Sequence, residues 1–152
     1  MFVVDANVLA IAADRTDPGH EACRLQLDAW RAQAGPWYLT WPIVFEFLTL
    51  TTHPSIYRQP WTVEAAWAYV EAILAAPSLS MIAAGERHQE ILDRLLVDLP
   101  DLRGAQMHEA QIVATMLEHG IRRIVTRDTA FHRFPMLDVV DPLRAASQAD
   151  FR

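Results

Sequence analysis

Phe2-Val3-Val4-Asp5-Ala6-Asn7 sets the reading of the rest of the chain. Three apolar residues, two of them β-branched, form a run too short for a helix and suited to a buried strand. Asp5 closes the run and is the only charge in the first 13 residues. Working outward, the same pattern recurs. Trp37 to Trp41, Leu79 to Ala83, Ile121 to Thr126 and Leu137 to Val140 read as further strands. Between them lie helical stretches. Asp17-Pro18 and Gly35-Pro36 bracket one, with Asp17 as its cap and Pro18 as its first residue. Pro42 to about Thr52 is a second, so apolar that it is expected to be buried. Thr62 caps a third that ends before Pro77, Glu86 to about Leu99 is a fourth, and Ala105 to His119 is a fifth closed by Gly120. Strands alternating with helices argue for an α/β fold with a mostly parallel sheet. No repeat or linker divides the 152 residues, so one domain over 1–152 is expected. In such sheets ligands bind outside the carboxyl ends of the strands, so chemistry is sought just after each strand.

Four acids stand there or close by. Asp5 and Asp128 each follow a strand. Glu46 is the only charge between Tyr38 and Thr52. Glu109 shares a helical stripe with Ile112, Val113, Met116 and Leu117. Each has a plainer reading: Asp5 and Asp128 as turn or cap residues, Glu109 as an acid favoured at a helix N-terminus, Glu46 as one half of an arginine pair. Together they read differently. Four carboxylates brought to one sheet edge repel one another unless cations lie between them. All-oxygen ligation selects hard ions, Mg²⁺ or Mn²⁺. Such ions activate water and stabilise both oxygens of an in-line phosphodiester displacement, which points to metal-dependent phosphoryl chemistry without fixing the substrate.

Composition removes the rivals. All 13 basic residues are arginine, so chemistry that needs a lysine is excluded: Schiff bases, P-loops and the receiver-domain lysine. Phosphatase or haloacid-dehalogenase-like chemistry, which also uses an aspartate after the first strand, lacks support, since the expected D-x-D is D-A-N and no lysine is available. The single Cys23 rules out an intrachain disulfide and a cysteine zinc cage. No signal peptide or membrane-spanning run is present, which leads to the expectation of a cytoplasmic protein with no membrane role. The formal charge of −6 argues at first against a nucleic-acid partner. Setting aside four acids for metal leaves 15 of the 19 against 13 arginines, nearly neutral, so the charge says little against RNA.

The motifs resemble those of the PIN-domain nucleases, VapC-type toxins among them. Val3-Val4-Asp5-Ala6-Asn7-Val8-Leu9 is similar to that family's opening D-x-N motif, Phe45-Glu46-Phe47-Leu48 to its second acidic motif, Gly104 through Glu109-Ala110 to its third, and Thr126-Arg127-Asp128-Thr129-Ala130-Phe131 to its fourth. The resemblance runs over essentially the whole chain. It implies a PIN-like three-layer sandwich with a five-stranded parallel sheet in order 3-2-1-4-5. It also implies a Mg²⁺- or Mn²⁺-dependent endoribonuclease, the toxin of a type II toxin–antitoxin system, with RNA (tRNA among the candidates) as substrate and a VapB-like antitoxin as partner. The apolar helices Pro42 to Thr52 and Thr62 to Ala76 offer a surface for a homodimer or the antitoxin. The family's third motif usually carries Asp where this chain has Glu109, whose carboxylate reaches about one bond further. Misplacing a catalytic group by about 1 Å can cost on the order of 10²-fold, so the alternative is a catalytically weakened domain with a binding or assembly role. Asp101 is the other candidate for the third acid; the helix register favours Glu109.

Asn7 and Thr126 stand beside Asp5 and Asp128 and are expected to orient them or hold a water. Arg127, Arg103 and Arg133 are candidates for RNA phosphate contacts, Arg127 first. His108 reads as a surface residue before Glu109, with an RNA contact or proton shuttle as its other reading, and the five tryptophans as core or partner-interface residues rather than base-stacking platforms.

Overall fold

The computed structural model describes residues 1–144; the last eight residues of the expected domain, 145–152, lie outside it. The strands are β1 (Val3–Val4), β2 (Trp37–Thr40), β3 (Leu79–Ile82), β4 (Arg123–Val125) and β5 (Asp138–Val140). They form one sheet in the order β3-β2-β1-β4-β5, every pair parallel. The expected order is therefore the observed one. Phe2, Val3 and Val4 are buried, as are Ile124 and Val125 beside them; central parallel strands are covered on both faces and need apolar residues at successive positions.

Six α-helices cover the sheet among the described residues: α1 (Ala6–Ala13), α2 (His20–Ala32), α3 (Trp41–Thr52), α4 (Val63–Leu74), α5 (His88–Asp98) and α6 (Gln106–Glu118). A 3-10 helix spans Thr129–Arg133. Thr40 caps α3 by accepting from the Ile43 amide at 3.3 Å, and Thr62 caps α4 through Ala65 at 3.2 Å. At the end of α6 Gly120 takes φ +71°, where a side chain would be strained. The Ile121 amide then bonds Met116 O at 2.9 Å and the Gly120 amide Leu117 O at 3.1 Å. This is the Schellman ending that the glycine announced.

Three expectations need correction. The sequence reading gave no helix at 6–13, yet α1 occupies it. Ala6, Val8, Leu9, Ala10 and Ala12 are all buried, so its apolar residues show no one-sided period. Second, α2 begins at His20 rather than at Pro18: the Asp17 carboxylate accepts from the Gly19 amide at 2.7 Å, forming a turn ahead of the helix instead of a cap on it. Third, α3 is not buried all round. Ile43, Val44, Phe47 and Thr51 face the core, while Trp41, Phe45 and Glu46 are exposed.

The order of the strands has one consequence for function. From β1 the chain winds outward through β2 to β3, then returns to add β4 and β5 on the other side of β1. The connections leaving β1 and β4 diverge there, which opens a crevice at the carboxyl ends of the two strands.

Candidate active site

Asp5 leaves the end of β1 directly into this crevice. It is the N-cap of α1: its Oδ1 accepts from the Ala6 amide at 2.8 Å. Its Oδ2 accepts from Asn7 Nδ2 at 2.7 Å and from the Thr126 hydroxyl at 2.6 Å. Asn7 Nδ2 also donates to Thr126 Oγ1 at 3.0 Å, and Asn7 Oδ1 accepts from the Arg127 amide at 3.2 Å. Thr126 Oγ1 accepts in turn from the Asp128 amide at 2.9 Å. Asp128 Oδ1 caps the 3-10 helix through the Ala130 amide at 2.8 Å. One continuous network thus ties the D-A-N turn after β1 to the T-R-D turn after β4. The cap readings of Asp5 and Asp128 are both correct, and they are compatible with a place in the site.

Glu46 and Glu109 arrive from helices. Glu46 lies on the exposed face of α3, so it occupies the expected place for a different reason than burial in an apolar helix. Glu109 lies in the first turn of α6. Asp5, Glu46, Glu109 and Asp128 line a single cleft of about 620 Å³, together with Trp41, Pro42, Phe45, Thr49, His108, Gln111, Ile112 and Phe131. All four sequence-predicted acids therefore meet at one place.

Their electrostatics match that crowding. Burial, first, and the charges of Asp128 and Glu109 push the Asp5 carboxyl up to about 6, against the opposing bonds from Thr126 and Ala6. Glu46 is pushed up to about 7, first by desolvation and then by Asp5, Glu109 and Asp128. Glu109 is raised by desolvation and by Asp128. Among the described residues no arginine forms an ion pair with any of the four.

The fit to a divalent cation is mixed in one instructive way. Among the described residues no group of three or more His, Cys, Asp or Glu side chains is gathered closely enough to hold an ion as it stands. Yet Glu109 Oε2 is buried without a hydrogen-bond partner among the described residues. A buried carboxylate oxygen left in that state costs free energy, and mutually repelling carboxylates relax apart. The donor set, all oxygen and uncompensated, suits a hard cation.

Asp101 is not part of this set. It is exposed and pairs with Arg133, which holds its carboxyl below the usual range. The arginines also stand outside. Arg103 Nε donates to the Asp101 carbonyl at 3.3 Å, and Arg127 lies 3.6 Å from Asp141. None of Arg103, Arg127 and Arg133 lines the cleft. Arg127 is nearest, through its amide bond to Asn7. Trp41, expected in the core or at a partner interface, instead lines this cleft and is exposed; the sequence reading takes Phe45 only as part of the motif around Glu46 and does not single out Thr49 or Gln111. The i, i+4, i+8 spacing of Trp41, Phe45 and Thr49 on α3 is the available signal.

Comparison with known proteins agrees with the fold. Residues 2–136 match the PIN domain family. The chain is 34% identical over 143 residues to Ribonuclease VapC25 of Mycobacterium tuberculosis, covering 93% of this chain and 99% of that one. It is 28% identical over 138 residues to Ribonuclease VapC48 of the same species, covering 91% and 94%. Among solved structures, VapBC2 of Rickettsia felis bound to a promoter DNA fragment is similar at a TM-score of 0.65 and 13% identity, covering 91% of this chain and 96% of that one. VapC20 of M. tuberculosis, described as a sarcin–ricin-loop-cleaving toxin, is similar at 0.59 and 19%, covering 87% and 93%.

Proposed function

This chain belongs to the PIN domain family, and from that premise we propose that it is a metal-dependent endoribonuclease, the toxin of a VapBC-type toxin–antitoxin pair. The observation that carries the reading is the convergence of four carboxylates, from four separate segments, on one cleft at the sheet's switch point. The names of its curated relatives, ribonucleases of the VapC type, support it.

In this reading Asp5, Glu46, Glu109 and Asp128 hold Mg²⁺ or Mn²⁺, which when bound supplies an activated water and neutralises charge on the phosphate oxygens. The chain's own residues do the rest. Asn7 and Thr126 fix the Asp5 carboxylate by two hydrogen bonds, so that it presents one orientation. Thr126 also fixes the start of the turn that carries Asp128. Glu109 Oε2, without a partner, is the ligand oxygen whose burial a cation would compensate. Arg127 stands at the edge of the network as a phosphate contact, with Arg103 and Arg133 more remote. A VapB-like antitoxin and a second copy of the chain are the proposed protein partners.

The experiment is cleavage of RNA by the purified protein with Mg²⁺ or Mn²⁺ and with a chelator. The reading expects metal-dependent products that Asp5→Asn does not give. Equal cleavage by Asp5→Asn and wild type would sink it.

A further inference from the structure

We propose that Trp41 and Phe45 form a stacking lip that receives an unpaired nucleobase of the RNA beside the acidic cleft. The inference rests on the ribonuclease reading above and deepens it, by assigning the group that grips the substrate next to the reacting phosphate.

The tryptophans of this chain are not alike. Trp30 and Trp37 are buried, Trp30 packing on Phe2 and Trp37 donating from Nε1 to Ser78. Trp61 packs among Phe47, Tyr57 and Tyr69. Trp41 is 44% exposed and Phe45 is 65% exposed, and both line the cleft. They sit at i and i+4 on α3, one helical turn or about 6 Å apart. Neither packs on another aromatic ring among the described residues. Pro42, Glu46 and Thr49 share their face, so the rings are continuous with one of the four carboxylates.

The charge of the cleft decides what those rings meet. Among the described residues no arginine lines it, while four acids do. A polyanion gains no Coulomb attraction from such walls, and a bound cation offsets them only at the reacting phosphate. Affinity for the neighbouring nucleotide needs contacts indifferent to charge. Stacking of a base on an aromatic face is such a contact, and it tolerates any base. Single-stranded RNA offers splayed bases for it. His108, Thr49 and Gln111, in the same cleft, offer polar groups to a base edge.

The test uses the full chain carrying Asp5→Asn, so that RNA binds without being cut. Binding of fluorescein-labelled single-stranded oligoribonucleotides is followed by anisotropy in Mg²⁺. Adding Trp41→Ala or Phe45→Ala is expected to weaken binding by about 5- to 140-fold, and Trp41→Phe to restore most of it. In the active chain the same alanines raise KM and leave kcat nearly unchanged. A melting curve checks that each variant folds; Phe45, the more exposed, carries the test if Trp41→Ala does not. Binding within about twofold of the parent for both alanines overturns the proposal. So does unchanged RNA binding together with weakened affinity for the antitoxin, which would assign the lip to the protein partner. Wild-type protein that neither binds nor cuts RNA overturns the ribonuclease reading as well, whereas cutting that ignores both rings removes the lip alone.

Discussion

On one wall of the cleft Asp5, Asn7, Thr126 and Asp128 hold one another through hydrogen bonds of 2.6 to 3.0 Å. On the other, Glu46 and Glu109 project from helices and, among the described residues, form no ion pair, and one Glu109 oxygen is buried with no hydrogen-bond partner among them. The first wall is finished by the fold itself. It grows from adjacent strands whose backbones are already joined, the Asp5 amide bonding Val125 O at 3.0 Å. The second wall is assembled from the side, by α3 and α6, and leaves its carboxylates to repel the others. The difference teaches that the fold locks the two strand-end acids in place, whereas the two helix-borne acids are set only by how α3 and α6 pack; on the proposed reading, a bound cation would draw that second pair in.

The largest effect should come from the finished wall. Asp5→Asn is expected to lower RNA cleavage by on the order of 10² to 10³-fold, as loss of a central electrostatic group does. Its fold should persist, because an amide oxygen can still accept from Thr126. Cleavage rates with Mg²⁺ and a melting curve measure both. Retained activity would show that the locked wall is a structural brace and that chemistry lies elsewhere.

The open wall should respond to reach. Glu109→Asp withdraws the carboxylate by about one bond, and a displacement of about 1 Å costs on the order of 10²-fold where the geometry is tuned. Because the family's third motif usually carries Asp, the opposite outcome, a gain in cleavage or in Mn²⁺ affinity by calorimetry, would mean that Glu109 weakens this chain. Either result places Glu109 in the reaction; no change at all would remove it.

Thr126→Val keeps the shape of the side chain and deletes the hydroxyl that joins the two strand ends. Asp5 loses a donor and the Asp128 amide loses its acceptor. We expect about 10- to 100-fold lower activity, as for other groups that orient a ligand, and roughly 1 to 3 kcal/mol of lost stability by denaturant melt. Preserved activity would mean that Asn7 alone suffices to orient Asp5.

Titration separates the walls in another way. Asp5 at about 6 and Glu46 at about 7 both stand above the ordinary carboxyl value of roughly 4. The folded chain holds these protons more tightly than the unfolded one. Their contribution to stability is therefore full below about pH 4 and is lost as pH rises through about 6 and 7. Calorimetry in chelator should show wild type losing stability relative to Asp5→Asn between about pH 4 and 7, with the gap level above that, and Mg²⁺ should narrow it at the upper end. A gap that stays constant with pH would detach Asp5 from the repulsion among the four acids.

How much of this was legible follows the same division. Asp5 and Asp128 were readable because a charge directly after an apolar run marks a strand's carboxyl end, and strand ends converge in a parallel sheet. Gly120 was readable because only glycine takes its φ of +71° comfortably. By contrast α1 was not readable: a helix buried on all sides loses the period that betrays a helix, and Asp5 was its one start signal. Glu46 was found at the right place, but local apolarity suggested burial, and which face of α3 meets solvent depends on packing far along the chain. The arginines around the third and fourth motifs were grouped by proximity in sequence, which does not say where the acids that claim them lie. Asp101 and Asp141 do so from 32 and 14 positions away.

That last point gives the smallest prediction. Arg133 is tied to Asp101 away from the cleft, whereas Arg127 follows Thr126 directly and its amide is held by Asn7 at 3.2 Å. Its side chain is partly exposed, and its pairing with Asp141 at 3.6 Å is loose. An exposed pair of that kind contributes little, so a phosphate can compete for the guanidinium. Arg127→Ala should weaken RNA binding by a few-fold, by about 2- to 5-fold, and flatten its dependence on salt by about one unit of slope. Arg133→Ala should leave binding and slope within error. Anisotropy titrations of both variants at several salt concentrations read the two effects together. Equal losses would mean that Arg133 leaves Asp101 when RNA arrives, and that the rim of the cleft is broader than the resting structure draws it.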